Sequence, residues 1–263
     1  MKPLLQFSSR PDPTPSRTPC WLNAALLLLS LALSLKAETG GEPQTAREPE
    51  RHRGAQVVPP DQLVFGRSYG AWGGEWWKWV LSTPADQNPI GDPTGALGGR
   101  NQHGPVWFLD GTFGGSVERT VTIPAGKGVF FPLFNYFNDY PCPDPAFHPA
   151  PGQTLEAFLR QGAAAFVDAA TDLAVQVDGA EIPRPFDYRA ASGLVTFTAN
   201  PTWASLDPCV VPGVPQQGVA DGYWIMLAPL SRGEHTIHFL ATGFAGGFHL
   251  DVTYHVTVAG GDR

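Results

Sequence analysis

Apolar positions between residues 68 and 81 recur with a helical period. At 100° per residue, Trp72, Trp76, Trp79 and Val80 share one face, with Tyr69 a turn earlier and Glu75 at its edge. Ser68 is placed to cap this helix and Pro84 to end it soon after Leu81. A second helix follows from Leu155, Phe158, Leu159, Ala163, Phe166 and Val167, capped by Thr154 and expected to lie as a lid on a sheet. Elsewhere the period is two. Val117, Arg119, Val121 and Ile123 point one way while Glu118, Thr120 and Thr122 point the other. In the last strand Phe248, Leu250, Val252, Tyr254, Val256 and Val258 face inward, and His249, Asp251, Thr253 and His255 outward. Further strands are expected at 106–109, 128–134, 173–177, 194–198, 223–228 and 235–240. Val129 to Phe134 reads as buried on both faces until Asn135, and Asp178-Gly179 as a tight turn. The pattern predicts a mainly β fold: an antiparallel β-sandwich or jelly-roll-like domain with two helices packed on it, over residues 57–260.

Composition agrees with that class. Gly (30) and Pro (27) are abundant and charged residues make up only 16%, which suits short strands and tight turns over a helical bundle. The N-terminal 37 residues read as a signal peptide: Lys2, Arg10 and Arg17 precede the apolar run Trp21 to Leu35, and Leu35-Lys36-Ala37 offers a cleavage site. A retained signal anchor is the alternative. Residues 38–56 lack apolar period and read as a disordered linker. Cleavage after residue 37 would leave 13 Lys/Arg against 23 Asp/Glu, a net charge near −10, with no basic patch for nucleic acid. The expectation is an extracytoplasmic protein, periplasmic or secreted, with no stable membrane insertion after signal removal and no cofactor. Cys142 and Cys209 remain as an even pair, read as a disulfide worth about 4 kcal/mol on the chain-entropy model.

Several stretches resemble a family of exported bacterial proteins. They are Ser68-Tyr-Gly-Ala-Trp with Trp76-Trp-Lys-Trp, Gly104-Pro-Val-Trp-Phe-Leu-Asp-Gly-Thr-Phe-Gly-Gly, and Pro124-Ala-Gly-Lys-Gly-Val-Phe-Phe-Pro. Asp221-Gly-Tyr-Trp-Ile-Met-Leu-Ala-Pro-Leu, His235-Thr-Ile-His-Phe and Leu250-Asp-Val-Thr-Tyr complete the set. The resemblance implies export and a β-rich fold, and it carries no activity, cofactor or catalytic residue. Members of that family place cysteines near Gly98 and Val121, which this chain lacks. If those pair in relatives, the loop before Val106 is less firmly tied here.

Candidate chemistry sits at four places. Glu75, beside the indole stripe, is a general acid/base if desolvated and a rim ion pair otherwise. The loop Asn101-Gln102-His103 offers polar groups before a strand. Arg119, facing inward, requires a partner, for which Glu75 or Asp221 are candidates. Pairing Ala241 with Phe248 would set His238 opposite Asp251 with His249 nearby, a weak metal candidate without a ligand-spacing motif. Hydrolase, zincin, phosphate-loop and dinucleotide motifs are missing, and nothing local suggests a Ser-His-Asp site.

The leading expectation is therefore a non-catalytic module that binds a glycan or small organic molecule on an aromatic platform. Tyr69, Trp72, Trp76, Trp79, Trp107 and Trp224 would supply the apolar surface, with Asn101, Gln102 and Arg119 as polar anchors. A polysaccharide hydrolase or lyase using Glu75 or His103 is one alternative. A structural envelope protein is the other, and it predicts tryptophans buried with no cleft.

Overall fold

A computed structural model describes residues 55–260, so the signal sequence and most of the linker expected before them lie outside the described residues. The two long helices form where the apolar period placed them. The first, α1, runs Tyr69–Ser82 with the Ser68 hydroxyl accepting from the Ala71 N–H, and α2 runs Leu155–Val167 with Thr154 capping Ala157 in the same way.

The strands are β1 Val106–Phe108, β2 Gly115–Pro124, β3 Gly128–Tyr140, β4 Ala170–Val177 and β5 Ala180–Glu181. They continue as β6 Arg189–Ala191, β7 Val195–Phe197, β8 Gln216–Leu227, β9 Gly233–Gly243 and β10 Phe248–Ala259. One sheet has the order β1-β3-β8-β6, with β7 also pairing β8; the other has the order β2-β10-β9-β4-β5. The protein is mainly β, with the two sheets packed as a sandwich. Two neighbouring pairs, β1–β3 and β2–β10, run parallel within otherwise antiparallel sheets. The cause is the turn at Pro124–Lys127, which carries the chain from one sheet into the other. β2 then finds its partner in the chain's last strand, across ten residue pairs.

Three layers result. Between the sheets, Phe131, Leu133, Ile225 and Leu227 meet Val121, Ile237, Phe239, Val252 and Val256, all buried; Phe131 stacks on Phe239 at 5.1 Å. The other face of the first sheet carries Phe130, Trp224 and Met226, which pack under α1. Where the second sheet does not reach, α2 covers β3 and β8 through Leu159, Ala163 and Val167. β3 is therefore enclosed on both sides and stays buried beyond Asn135, through Phe137, Asn138 and Asp139.

The close seat of α1 depends on glycine. A Cβ at Gly70 would lie 2.0 Å from the Ala191 carbonyl oxygen, and one at Gly73 would lie 2.9 Å from the Trp224 ring. Each helical glycine costs about 1 kcal/mol relative to alanine, offset here by indole packing that a wider spacing would lose.

Cys142 and Cys209 form the expected disulfide, with Cα atoms 4.2 Å apart across 67 residues. The Gln216 amide donates to both flanking strands of chain, at the Cys209 carbonyl (2.8 Å) and the Pro141 carbonyl (3.2 Å).

The loop before Val106 is not loose. Thr120 donates its N–H to the Thr94 carbonyl at 2.9 Å, and a Cβ at Gly98 would stand 3.8 Å from the Cβ of Val121. That spacing is the mean Cβ separation of a disulfide. Gly98→Cys with Val121→Cys should oxidise to a second disulfide and raise the unfolding free energy by about 2–4 kcal/mol, read by chemical denaturation with and without reductant. A free-thiol count two higher than that of the parent chain after air oxidation would contradict the placement.

Candidate functional site

Burial decides the fate of the indole stripe. Trp76 is 1% and Trp224 0% exposed, and Trp72 and Trp79 show only 6% and 5%. Tyr69 is also core, its hydroxyl bonded to the Val58 carbonyl and accepting from the Met226 N–H, and burial raises its pKa. Trp107 points away from the others, into the space between the sheets. The open platform of stacked indoles is therefore corrected: these rings form a core, because α1 lies flat on the first sheet.

Each buried indole of α1's inner face spends its one N–H on an irregular segment. Trp72 donates to the Val64 carbonyl (2.9 Å), Trp76 to Leu109 (2.9 Å) and Trp79 to Arg100 (2.7 Å). These bonds fix a strap at residues 61–67 on one side of α1 and the loop at residues 88–105 on the other. Between them lies a groove of about 580 Å³. Narrow edges of Trp72, Trp79 and Phe108 form its floor, and Phe65, Arg67, Glu75, Lys78, Ser82, Asn101 and His103 its walls. Five of the residues singled out from the sequence thus converge: Trp72, Trp79, Glu75, Asn101 and His103.

Their roles differ from expectation. Glu75 is an ion-paired rim residue: its Oε1 meets Arg67 at 3.0 Å and Lys78 at 3.1 Å, while its Oε2 has no partner among the described residues. The Arg67 guanidinium also sits 5.5 Å over the Trp72 ring. Asn101 donates to the Thr83 hydroxyl at 3.0 Å, and its side-chain carbonyl oxygen has no partner among the described residues. Gln102 is a structural clamp, donating to the Gly98 and Phe108 carbonyls and accepting from the Phe108 N–H. His103 is exposed at the rim.

Phe65, which the periodicity gave no reason to choose, is 53% exposed on that rim and holds φ at 48°. A left-handed backbone is an outlier for a bulky residue and costs about 1–3 kcal/mol. Its ring edge rests near Gly128, where a Cβ would stand 3.5 Å away.

Arg119 belongs to a second, buried assembly, and neither Glu75 nor Asp221 is its partner. Its Nε donates to the Asp92 carbonyl (2.7 Å), its Nη1 to Gly111 O (2.7 Å), Asp110 O (3.2 Å) and the Tyr254 hydroxyl (2.9 Å), and its Nη2 to Ile90 O (3.2 Å). Asp221 is bound instead by Arg189, 2.8 Å away, which raises the arginine's pKa. Desolvation is the largest influence on Asp92, but hydrogen bonds from Leu97 and Thr94, with Arg119 nearby, outweigh it and hold its carboxyl low. Asp110 behaves oppositely: with Oδ1 buried and unbonded, burial pushes its pKa to about 8, only partly countered by Arg119.

On the outer face of the second sheet the register differs from expectation by two residues. Ala241 pairs with Leu250, His238 with Thr253 and Asp251 with Leu240. His238 Nε2 still reaches Asp251 Oδ1 diagonally at 2.9 Å, but His249 joins neither. Among the described residues no group of three His, Cys, Asp or Glu could hold a metal ion, so this candidate is corrected to a surface hydrogen-bonded pair.

The structure does assemble one constellation that no local motif announced. His235 lies between Asp178 (Nδ1 to Oδ2, 2.7 Å) and the Ser231 hydroxyl (Nε2 to Oγ, 3.2 Å). The same Nε2 is closer to the Ser231 carbonyl oxygen, at 2.9 Å. A ring nitrogen facing a carbonyl must donate, whereas a general base must accept. The arrangement ties the turn before β9 to the turn after β4.

No protein-family model and no curated protein matches this chain. Among solved structures, the solution structure of Amebosin matches over 59% of this chain and 100% of that one, at 12% identity and a TM-score of 0.23. A likeness at that score carries neither fold nor function.

Asp110 gives the buried assembly a pH signature. The native state keeps the proton between the ordinary carboxyl pKa of 3.8 and about 8, while the unfolded chain releases it, so stability falls as pH rises through that window. Asp110→Asn, which cannot ionise, should flatten that part of the stability profile, measured as thermal midpoint against pH. A variant profile parallel to the native one would show that Asp110 does not hold its proton.

Proposed function

We propose that this chain is an exported, non-catalytic binding module whose ligand, a glycan or small organic molecule, occupies the groove between Phe65 and Asn101. The observation that carries this reading is the convergence of unmet polar valence on an aromatic floor. Arg67 Nη2, Lys78 Nζ and His103 have hydrogen-bond capacity to spare, as do Glu75 Oε2 and the Asn101 carbonyl oxygen. A volume of about 580 Å³ is of the size that holds small ligands. The exposed Phe65 ring takes the stacking role that the buried indoles cannot fill.

Export is supported by the Cys142–Cys209 disulfide, which persists in oxidising compartments, and by the resemblance to exported bacterial proteins. Among the described residues no helix is long and apolar enough to cross a membrane. A purely structural envelope role accounts for the buried tryptophans and leaves the groove without a purpose.

Trp72 and Trp79 edge the groove, so ligand entry should change tryptophan emission. Titration with a panel of soluble polysaccharides is expected to give a saturable shift with at least one. Phe65→Ala should weaken that binding about ten-fold, a loss near 1.4 kcal/mol. A titration curve unchanged by Phe65→Ala would remove the groove from consideration.

The enzyme reading has two forms. A hydrolase or lyase using paired carboxylates is opposed by the groove itself, whose lining among the described residues holds Glu75 and no second acid. The Ser231–His235–Asp178 geometry favours a serine hydrolase, but the carbonyl contact at Nε2 opposes it. A fluorophosphonate probe should accordingly leave the protein unlabelled. Labelling that disappears in Ser231→Ala would make the protein an enzyme.

A further inference from the structure

The geometry points to an acidic saccharide, one carrying a uronate carboxylate, as the class of ligand this groove takes; the inference rests on the groove being a binding site. Arg67 and Lys78 share a single oxygen of a single carboxylate, Glu75 Oε1, so two cations meet one anion. The groove therefore carries surplus positive charge in a chain whose formal net charge is −7. That surplus is local to the groove, and an anion brought there completes a pairing that the protein leaves half made.

The form of the anion follows from Arg67. Its Nη1 is engaged by Glu75, while among the described residues Nε and Nη2 have no hydrogen-bond partner. Nε and one Nη form the side of a guanidinium fork that matches the two oxygens of a carboxylate. Trp72 lies under the guanidinium at 5.5 Å, so the fork is held in orientation before a ligand arrives. The existing ion pairs do not obstruct exchange. Arg67, Lys78 and Glu75 side chains are 49%, 40% and 31% exposed, and pairs that exposed contribute about 0–1 kcal/mol.

The remaining features fit a sugar ring attached to that carboxylate. Glu75 Oε2 and the Asn101 carbonyl oxygen accept, which suits ring hydroxyl donors. Phe65 offers an apolar face for ring C–H groups. An inorganic anion would use the cations and leave both acceptors and the phenyl ring idle. A neutral sugar would use the acceptors and the ring and leave Arg67's fork empty. A uronate uses all of them.

The test is isothermal titration of the full chain with three acidic oligosaccharides: trimers of galacturonate and of mannuronate, and a glucuronate-containing hyaluronan tetrasaccharide. The methyl ester of each keeps the skeleton and removes the charge. At least one acid should bind, about ten-fold or more tighter than its ester, and which one binds identifies the sugar. Arg67→Gln should weaken that acid about ten-fold with no change in thermal midpoint, while Glu75→Gln, which frees both cations, should tighten it about three-fold. Raising salt should weaken the acid and leave the ester unmoved. An ester that binds as tightly as its acid overturns the inference and leaves the groove reading standing. So does binding of a neutral glycan by a chain that ignores every acid, provided Phe65→Ala weakens it. If no saccharide binds at all, the inference falls together with the glycan form of the reading beneath it.

Discussion

An indole buried in a protein brings one N–H that is costly to leave unmet, as it is at Trp77 and Trp107, and an irregular segment brings carbonyls that no strand or helix will satisfy. Three tryptophans of α1 solve both problems together. Trp72, Trp76 and Trp79 pack the helix against the first sheet and donate to Val64, Leu109 and Arg100. The residues that anchor the helix thereby also set the strap and the loop that wall the groove. Trp203 repeats the device at the helix C-terminus by donating to the Thr83 carbonyl at 2.8 Å. The groove is a consequence of core packing carried outward through hydrogen bonds.

Arg119 applies the same logic from the opposite side of the loop. Its guanidinium gathers the carbonyls of Ile90, Asp92, Asp110 and Gly111, four acceptors from a stretch with little regular structure. A single buried cation thus does what a strand partner would do elsewhere. Two carboxylates lie close to it, and their environments separate them. Asp92 is ionised because N–H groups of Thr94 and Leu97 bond it, whereas Asp110, with an unbonded buried oxygen, favours its protonated form. The loop is held between the indoles of α1 and this arginine, which explains how it keeps its shape without a disulfide of its own.

Much of this was legible in the sequence. Periodicity located both helices, the caps at Ser68 and Thr154, the inward face of β10 and the inward arginine in β2. Periodicity reports which side chains share a face, and it does not report what covers that face. The stripe is visible in the sequence, but its burial depends on a sheet whose inner strand β8 lies more than a hundred residues away. Partner identity was hidden for a related reason. Arg119 binds backbone carbonyls, which have no sequence signature, and β2 pairs with a strand at the other end of the chain. The β9–β10 register slipped by two because the connecting turn places Phe244 and Ala245 at φ near 51–52°, a conformation that neither residue type announces. Phe65 escaped notice on the same ground.

The groove divides its labour between rigid and exchangeable parts. Its floor is locked: Trp72 and Trp79 are each packed and hydrogen-bonded, Trp72 edge-on to Phe108 at a ring distance of 6.2 Å and Trp79 tilted against it at 5.5 Å. On the binding reading proposed above, little conformational entropy would remain there to be lost on ligand entry, which is the usual obstacle to converting contact area into affinity. The rim is different. Arg67, Glu75 and Lys78 form solvent-exposed pairs worth little individually, and Phe65 holds an exposed ring on a strained backbone. A chain under selection only for a packed core would gain by relaxing that residue to glycine or burying its ring. That it does neither is intelligible if the ring has a partner outside the protein, since contact with a ligand would return the free energy that the φ of 48° withholds.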